Sequence, residues 1–185
     1  MIVSKQGRGI SYPCPDLRLW YNGGMANFKP PYKIRMAGLG DAQALAVILR
    51  ETGWFDVMAA ESLEESEKRV RDLLAHGLAD KSHSIYVAVD QEDLPAGYIS
   101  VHWLPYLFLS GPEGYVSELF VSASARGGGI GAALLEAVRI EANNRGCARL
   151  SLLNGRQRES YHRKFYEKQG WEERPGMANF IFPFL

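Results

Sequence analysis

Residues 118–137 read ELFVSASARGGGIGAALLEA, and this stretch passes from an apolar strand through a glycine-rich turn into an amphipathic helix. Glycine has no Cβ atom, so the backbone N–H groups of such a turn can approach a bound anion closely. The first turn of the following helix adds N–H groups without intrahelical partners and a partial positive charge. Arg126 adds a formal positive charge at the rim. The stretch therefore predicts a cradle for a phosphate or diphosphate group. The glycines concerned are Gly127, Gly128, Gly129 and Gly131.

Two nucleotide-binding motifs compete with this general interpretation. A Walker A loop ends in Gly-Lys-Ser or Gly-Lys-Thr, whereas two alanines follow Gly131, which excludes that loop. The dinucleotide fingerprint G-x-G-x-x-[GA] is matched by Gly127, Gly129 and Ala132. That fingerprint expects further βα units and an acidic residue about 20 positions on, and the short remainder of the chain disfavours it. A turn without any ligand is the third interpretation.

Hydrophobic periodicity predicts the rest of the fold from residue 32 onward. The order of elements is β-α-α-β-β-β-α-β-α-β, which predicts an α/β (mixed α+β) domain with helices on a mixed sheet. The predicted strands are 32–36, 84–89, 96–103, 115–121, 148–153 and a C-terminal edge strand through Phe180, Phe182 and Phe184. The predicted helices begin at the N-cap Asp41 and at the capping box of Ser62 and Glu65, and span roughly 130–144 and 159–169.

Length and composition favour one ordinary globular domain. The chain has 185 residues, of which 46% are hydrophobic and 23% are charged, and this balance excludes a disordered or coiled-coil protein. Residues 1–31 contain several glycines and prolines without periodicity, so they are predicted to be an irregular N-terminal extension to a domain at 32–185.

Charge and cysteine content limit the partners that we expect. Lys plus Arg and Asp plus Glu both number 21, so there is no basic field, and neither nucleic acid nor a membrane is predicted as a partner. The N-terminus lacks the apolar core of a signal peptide, which predicts a cytoplasmic protein with reduced Cys14 and Cys147. The four histidines lack metal-ligand spacing, so no metal is expected.

Three segments carry a resemblance to a known family. The pattern Arg126-x-x-Gly129-x-Gly131, between ELFV and IGAALLEA, resembles the acetyl-CoA signature of the GNAT superfamily of N-acetyltransferases. Downstream, KFYEKQGW at 164–171 resembles the family's FYxxxGF segment, and upstream IRMAGLGDAQAL at 34–45 resembles its opening strand and helix. The resemblance covers 32–185 and implies a central mixed, mostly antiparallel sheet with a splayed parallel strand pair, flanked by about four helices.

The resemblance implies acetyl-CoA as the co-substrate, lying where the strands 115–121 and 148–153 splay apart. The pantetheine arm would run beside the first of these strands, and the diphosphate would bind the turn that follows it. A backbone N–H near Leu119 would polarise the thioester carbonyl. The residues that the resemblance assigns to acetyl-CoA are Leu119, Phe120, Val121, Arg126, Gly127, Gly128, Gly129, Ile130, Gly131 and Ala132.

The resemblance also implies two catalytic candidates. Tyr166 matches the tyrosine of the family's FY pair and would protonate the departing CoA thiolate; the alternative is an aromatic residue that packs the last helix. Glu118 lies on the splayed strand and would accept the amine proton or hold a cationic substrate; a solvated strand residue is the equally weighted alternative.

One departure from the family pattern affects the pantetheine contact. Glu159 and His162 stand where many members have asparagine and alanine, so Asn154 or Ser160 is expected to replace the usual asparagine contact. The resulting prediction is an N-acetyltransferase that acts on a primary amine of a small molecule or a protein N-terminus. The alternatives are a non-catalytic acyl-CoA-binding module and, at much lower weight, a dinucleotide-dependent oxidoreductase. A homodimer is compatible with the family, and the sequence does not decide it.

Overall fold

The computed structural model describes residues 32–79 and 81–184, so the irregular extension predicted for 1–31 lies outside the described residues. The described chain folds into a five-stranded sheet with five α-helices. The strands are β1 (Lys33–Met36), β2 (His83–Val89), β3 (Pro95–Leu104), β4 (Glu113–Val121) and β5 (Arg149–Leu152). The helices are α1 (Ala42–Glu51), α2 (Asp56–Ala60), α3 (Leu63–Leu78), α4 (Ile130–Asn144) and α5 (Glu159–His162).

The strands lie in chain order, β1-β2-β3-β4-β5. The first four are antiparallel neighbours, and β5 runs parallel to β4 because α4 carries the chain back across the sheet. The predicted mixed, mostly antiparallel sheet with one parallel pair is therefore confirmed. The helices number five rather than about four, since the segment between α1 and α3 forms the short helix α2.

Each face of the sheet has its own hydrophobic core. Helices α1 and α3 cover one face, where Leu45 and Val87 are fully buried. Helix α4 covers the other face with the apolar stripe that its period predicts, and Leu134 and Val138 are completely buried there. The sheet thus lies between the α1–α3 layer and the α4 layer. A site where β4 and β5 diverge would lie between these two helical layers.

The predicted starts of α1 and α3 are confirmed in position, but only α3 is capped in the predicted way. At α3, Ser62 and Glu65 form the predicted capping box, in which the Ser62 N–H donates to the Glu65 carboxylate at 2.7 Å. At α1, Asp41 occupies the N-cap position without a capping hydrogen bond. Its carboxylate instead accepts two hydrogen bonds of 2.8 Å from Arg35, which ties the helix start to β1.

The predicted helix over 159–169 is wrong in its second half. Only the single turn of α5 is helical, and Lys164 then adopts a left-handed conformation with φ of 54°. A left-handed residue cannot continue a right-handed helix, so the chain resumes only as a 3-10 turn at Glu167–Gln169 before Gly170. The break sets the position of Tyr166, which lies between these two turns.

The predicted C-terminal strand is also wrong. Residues 171–184 form no strand, and the side chains of Phe180, Phe182 and Phe184 are almost fully exposed. Residues of this segment, including Met177, line the same cavity as residues of β5. Pro183 also removes one of the N–H donors that a ladder would need.

A search of the described residues for a helix long and apolar enough to cross a membrane finds none.

Candidate active site

The parallel strands β4 and β5 diverge part of the way along their length. They pair from Glu113 opposite Arg149 to Val116 opposite Leu152, where β5 ends. Strand β4 continues for five more residues, to Val121. A register shift against β3 leaves Ser117 as an extra residue at the point of divergence, which is the geometry of a β-bulge. The family resemblance implied this strand pair, whereas the bulge was not predicted.

The glycine-rich turn presents backbone N–H groups at the start of α4. Gly127 and Gly129 have φ of 81° and 84°, a left-handed conformation that glycine adopts without a steric penalty. Gly129 is the N-cap residue, and the N–H of Ala133 donates to its carbonyl oxygen at 3.0 Å. The N–H groups of Ile130, Gly131 and Ala132 come before this first intrahelical bond and have no partner within the helix. They are therefore the donors that could bind an anion at the helix start.

The space beside Gly127 is open. A Cβ atom built on Gly127 would meet no other atom within 4 Å. Arg126 is exposed at the rim, and its Nε donates to the carbonyl oxygen of Val121 at 3.2 Å. Gly131 has a different role, because a Cβ there would lie 3.1 Å from Cζ of Phe165. The start of α4 therefore packs directly against the neighbour of Tyr166.

Tyr166 is half-buried between aromatic neighbours. Its ring centroid lies 4.9 Å from that of Phe165 and 6.2 Å from that of Trp171. Burial raises the pKa of the Tyr166 phenol above its ordinary value, and the positive charges of Arg158 and Arg163 only partly oppose this. The phenol therefore remains protonated at neutral pH and is able to donate a proton.

A cavity of about 590 Å³ lies against Tyr166. Its lining includes Leu152, Asn154, Ser160 and Tyr166, and the hydroxyl of Ser160 donates to Oδ1 of Asn154 at 3.1 Å. Three of the residues predicted for the site thus lie on one cavity. The glycine-rich turn and Glu118 are not part of its lining.

Glu118 lies on the opposite face of the sheet from Tyr166. This is the face that α1 and α3 cover. The carboxyl is accessible to solvent, yet the protein around it is close enough that desolvation raises its pKa. The nearby Tyr98 hydroxyl and the positive charge of His102 oppose that rise. The Tyr98 side chain is only 3% exposed, and its hydroxyl approaches the Glu118 carboxyl without completing a hydrogen bond in the described part of the chain.

A polar cluster surrounds the base of Glu118. Ser100, directly opposite Glu118 on β3, hydrogen-bonds Nε2 of His83 at 2.6 Å and accepts a hydrogen bond from Ser117 at 3.2 Å. The rings of His83 and His102 stack at 4.1 Å. This cluster was not predicted, because its members come from three strands. The alternation of polar residues on β3 was the one signal that could have indicated it.

The two loop arginines after β5 have different partners. Arg156 pairs with Glu173 at 2.7 Å, and both side chains are exposed. Arg158 lies over the ring of Trp54 at 3.8 Å from the ring centroid. Trp54 precedes α2, so this contact joins the loop after β5 to the loop after α1.

Among residues 32–79 and 81–184, no three His, Cys, Asp or Glu side chains are grouped so that they could hold a metal ion.

Comparison with known proteins agrees with this geometry. The model of the acetyltransferase (GNAT) family matches residues 51–171, which include the diverging strands, the glycine-rich turn and Tyr166. No curated protein matches the chain.

Solved structures share the fold at low sequence identity. A ribosomal-protein-alanine N-acetyltransferase from Brucella melitensis biovar Abortus 2308 is 21% identical, with a TM-score of 0.61 over 83% of this chain and 100% of that one. Glucosamine-6-phosphate N-acetyltransferase from Arabidopsis thaliana is 20% identical, with a TM-score of 0.63 over 83% and 100%. A transcriptional regulator from Bacillus halodurans C-125 is 24% identical, with a TM-score of 0.66 over 83% and 100%. These likenesses show the fold, and the family model spans most of the chain. The chain belongs to the acetyltransferase (GNAT) family.

Proposed function

We propose that the protein is an N-acetyltransferase that transfers the acetyl group of acetyl-CoA directly to a primary amine. The observation that carries this proposal is the divergence of β4 from β5 immediately before a glycine-rich turn that presents free helix N–H groups. A site of this shape accepts a long arm between the strands and an anion at the helix start. Family membership supports the same assignment.

Acetyl-CoA would be held by backbone groups on β4 and by the turn. The backbone of Leu119, Phe120 and Val121 would pair with the pantetheine arm, where β4 has no pairing with β5. The N–H groups of residues 126–132 would bind the diphosphate, with Arg126 at the rim. Asn154 and Ser160 would replace the missing family asparagine, since they already hydrogen-bond one another beside the cavity.

Three groups of the chain would perform the transfer. The Glu118 carboxylate accepts a proton from the acceptor ammonium, which frees the nitrogen lone pair to attack the thioester carbonyl. The N–H of Leu119 donates to the developing oxyanion. Tyr166 gives its proton to the CoA thiolate as the carbon–sulfur bond breaks, and the resulting phenolate takes the second proton from the former amine nitrogen, which leaves an amide, free CoA and a neutral Tyr166.

Replacing Glu118 with glutamine should lower kcat/KM for the amine by about 100-fold at neutral pH, because an amide cannot accept the proton. The matched control is Glu92→Gln, at an exposed carboxylate in the turn between β2 and β3. Steady-state kinetics of both variants measure the difference. If kcat/KM of the Glu118→Gln variant stayed within twofold of the wild-type value, Glu118 would be a solvated strand residue without a role in catalysis.

Replacing His102 with glutamine should move the acidic limb of the kcat/KM profile to higher pH. The positive charge of His102 lowers the pKa of Glu118, so its removal leaves burial less opposed and the pKa rises. A base with a raised pKa is protonated, and inactive, up to a higher pH. His76→Gln, at an exposed site near the end of α3, is the control. If the acidic limb of the His102→Gln variant were unchanged, the charge of His102 would have no effect on the group that titrates there.

The test of the proposed function is CoA thiol release from acetyl-CoA in the presence of primary amines. We expect amine-dependent release together with an acetylated product. A non-catalytic acyl-CoA-binding module, the alternative suggested by Glu159 and His162 in the family positions, would bind acetyl-CoA and release no thiol.

A further inference from the structure

Phe120 connects the proposed base to a group of aromatic side chains. Its ring lies 5.8 Å from those of Trp54, Phe55 and Tyr98, measured between centroids. Phe120 and Glu118 are two residues apart on β4, so their side chains lie on the same face of the sheet. An aromatic wall therefore stands directly beside the carboxylate that would receive the acceptor amine.

Two of these aromatic residues are open to solvent. The side chain of Trp54 is 51% exposed and that of Phe55 is 37% exposed, although both contact Phe120. A contiguous group of exposed apolar side chains is a candidate ligand-binding surface. The flat guanidinium of Arg158 already lies on the face of Trp54, which shows that this face accepts a flat group.

The buried Tyr98 hydroxyl adds a second polar group beside Glu118. It is close enough to the carboxyl to affect the pKa of Glu118, yet it does not complete a hydrogen bond within the described part of the chain. A buried hydroxyl without a complete hydrogen bond destabilises the protein. An ammonium group beside Glu118 would donate to both the carboxylate and the hydroxyl oxygen.

We propose that the acceptor is a primary amine joined by a short linker to an aromatic ring. The ammonium binds Glu118 and the Tyr98 hydroxyl, while the ring packs on Phe120 and takes the place of Arg158 on Trp54. This inference rests on the proposed function, and it selects one class of acceptor from the amines that such an enzyme could acetylate.

The experiment compares 2-phenylethylamine with ethylamine, which share the primary amine and the two-carbon linker and differ only in the ring. Thiol release by the full-length protein gives kcat/KM for each amine. We expect a preference of about tenfold or more for 2-phenylethylamine, from burial of the ring. Trp54→Ala should lower kcat/KM for 2-phenylethylamine more than kcat/KM for ethylamine and so reduce that preference, and Arg158→Ala should lower KM for 2-phenylethylamine.

A control and a second variant keep the comparison interpretable. Phe182→Ala removes an exposed ring from the C-terminal segment and should leave the preference intact. Phe120→Leu is the second variant, to be used if Trp54→Ala does not fold. It keeps an apolar side chain at this position and should also reduce the preference for 2-phenylethylamine. Equal kcat/KM for the two amines in the wild-type protein would overturn the aromatic acceptor alone. Absence of thiol release with every amine would overturn the proposed function itself.

Discussion

Replacing Tyr166 with phenylalanine should lower kcat by about 100-fold or more and leave the affinity for acetyl-CoA unchanged. The substitution removes only the hydroxyl, so the ring contacts with Phe165 and Trp171 remain. Burial keeps the phenol protonated at neutral pH, which makes it a donor for the departing thiolate. Steady-state kinetics and a calorimetric titration with acetyl-CoA measure the two quantities separately.

The control for Tyr166 is a tyrosine in a similar setting. Tyr32 is also half-buried against the core on the α4 side, next to the opposite edge strand, β1. Tyr32→Phe should leave kcat unchanged. If Tyr166→Phe retained wild-type kcat, Tyr166 would be an aromatic packing residue, which is the alternative that its ring contacts also allow.

Replacing Gly127 with aspartate should raise KM for acetyl-CoA by about 30-fold or more, through loss of anion binding and through charge repulsion. Aspartate tolerates the left-handed conformation that Gly127 adopts at φ of 81°, and a Cβ there meets no other atom within 4 Å. The folded state should therefore persist, and the new carboxylate would lie beside the proposed diphosphate site. Initial rates at varied acetyl-CoA concentration measure the effect.

Two further variants separate charge from shape at this turn. Gly146 follows the other end of α4, has φ of 66° and also has no other atom within 4 Å of a built Cβ. Gly146→Asp thus carries the same backbone strain away from the site and should leave KM unchanged. Gly127→Asn keeps the size of the side chain without its charge and should have a smaller effect. A wild-type KM in Gly127→Asp would place the diphosphate elsewhere.

Local sequence signals predicted the elements that build the framework. The capping box at Ser62 and the glycines before α4 act within a few residues of the helices they begin, so the sequence was sufficient to locate α3 and α4. The apolar runs at 84–89 and 96–103 likewise predicted the strands β2 and β3. The resemblance to the family added the parallel pair of β4 and β5, which no local pattern specifies.

Features that depend on contacts between distant residues were not predicted. The break at Lys164 and the absence of a C-terminal strand both reflect how the chain after β5 packs around the cavity, and helical or alternating periodicity does not report this. The approach of Tyr98 and His102 to Glu118 depends on strand register, and the contact between Arg158 and Trp54 joins two loops. Such side chains become recognisable as parts of a site only in three dimensions.

The most direct test of the central claim is the melting temperature of the full-length protein with acetyl-CoA, CoA or NADH added separately. A ligand at 100 times its dissociation constant stabilises the folded state by about 2.7 kcal/mol, which gives a readily measured shift. We predict a rise with acetyl-CoA and with CoA, no rise with NADH, and loss of the rise in Gly127→Asp. A melting temperature unchanged by acetyl-CoA and CoA, or raised only by NADH, would contradict the assignment as an acetyl-CoA-dependent acetyltransferase.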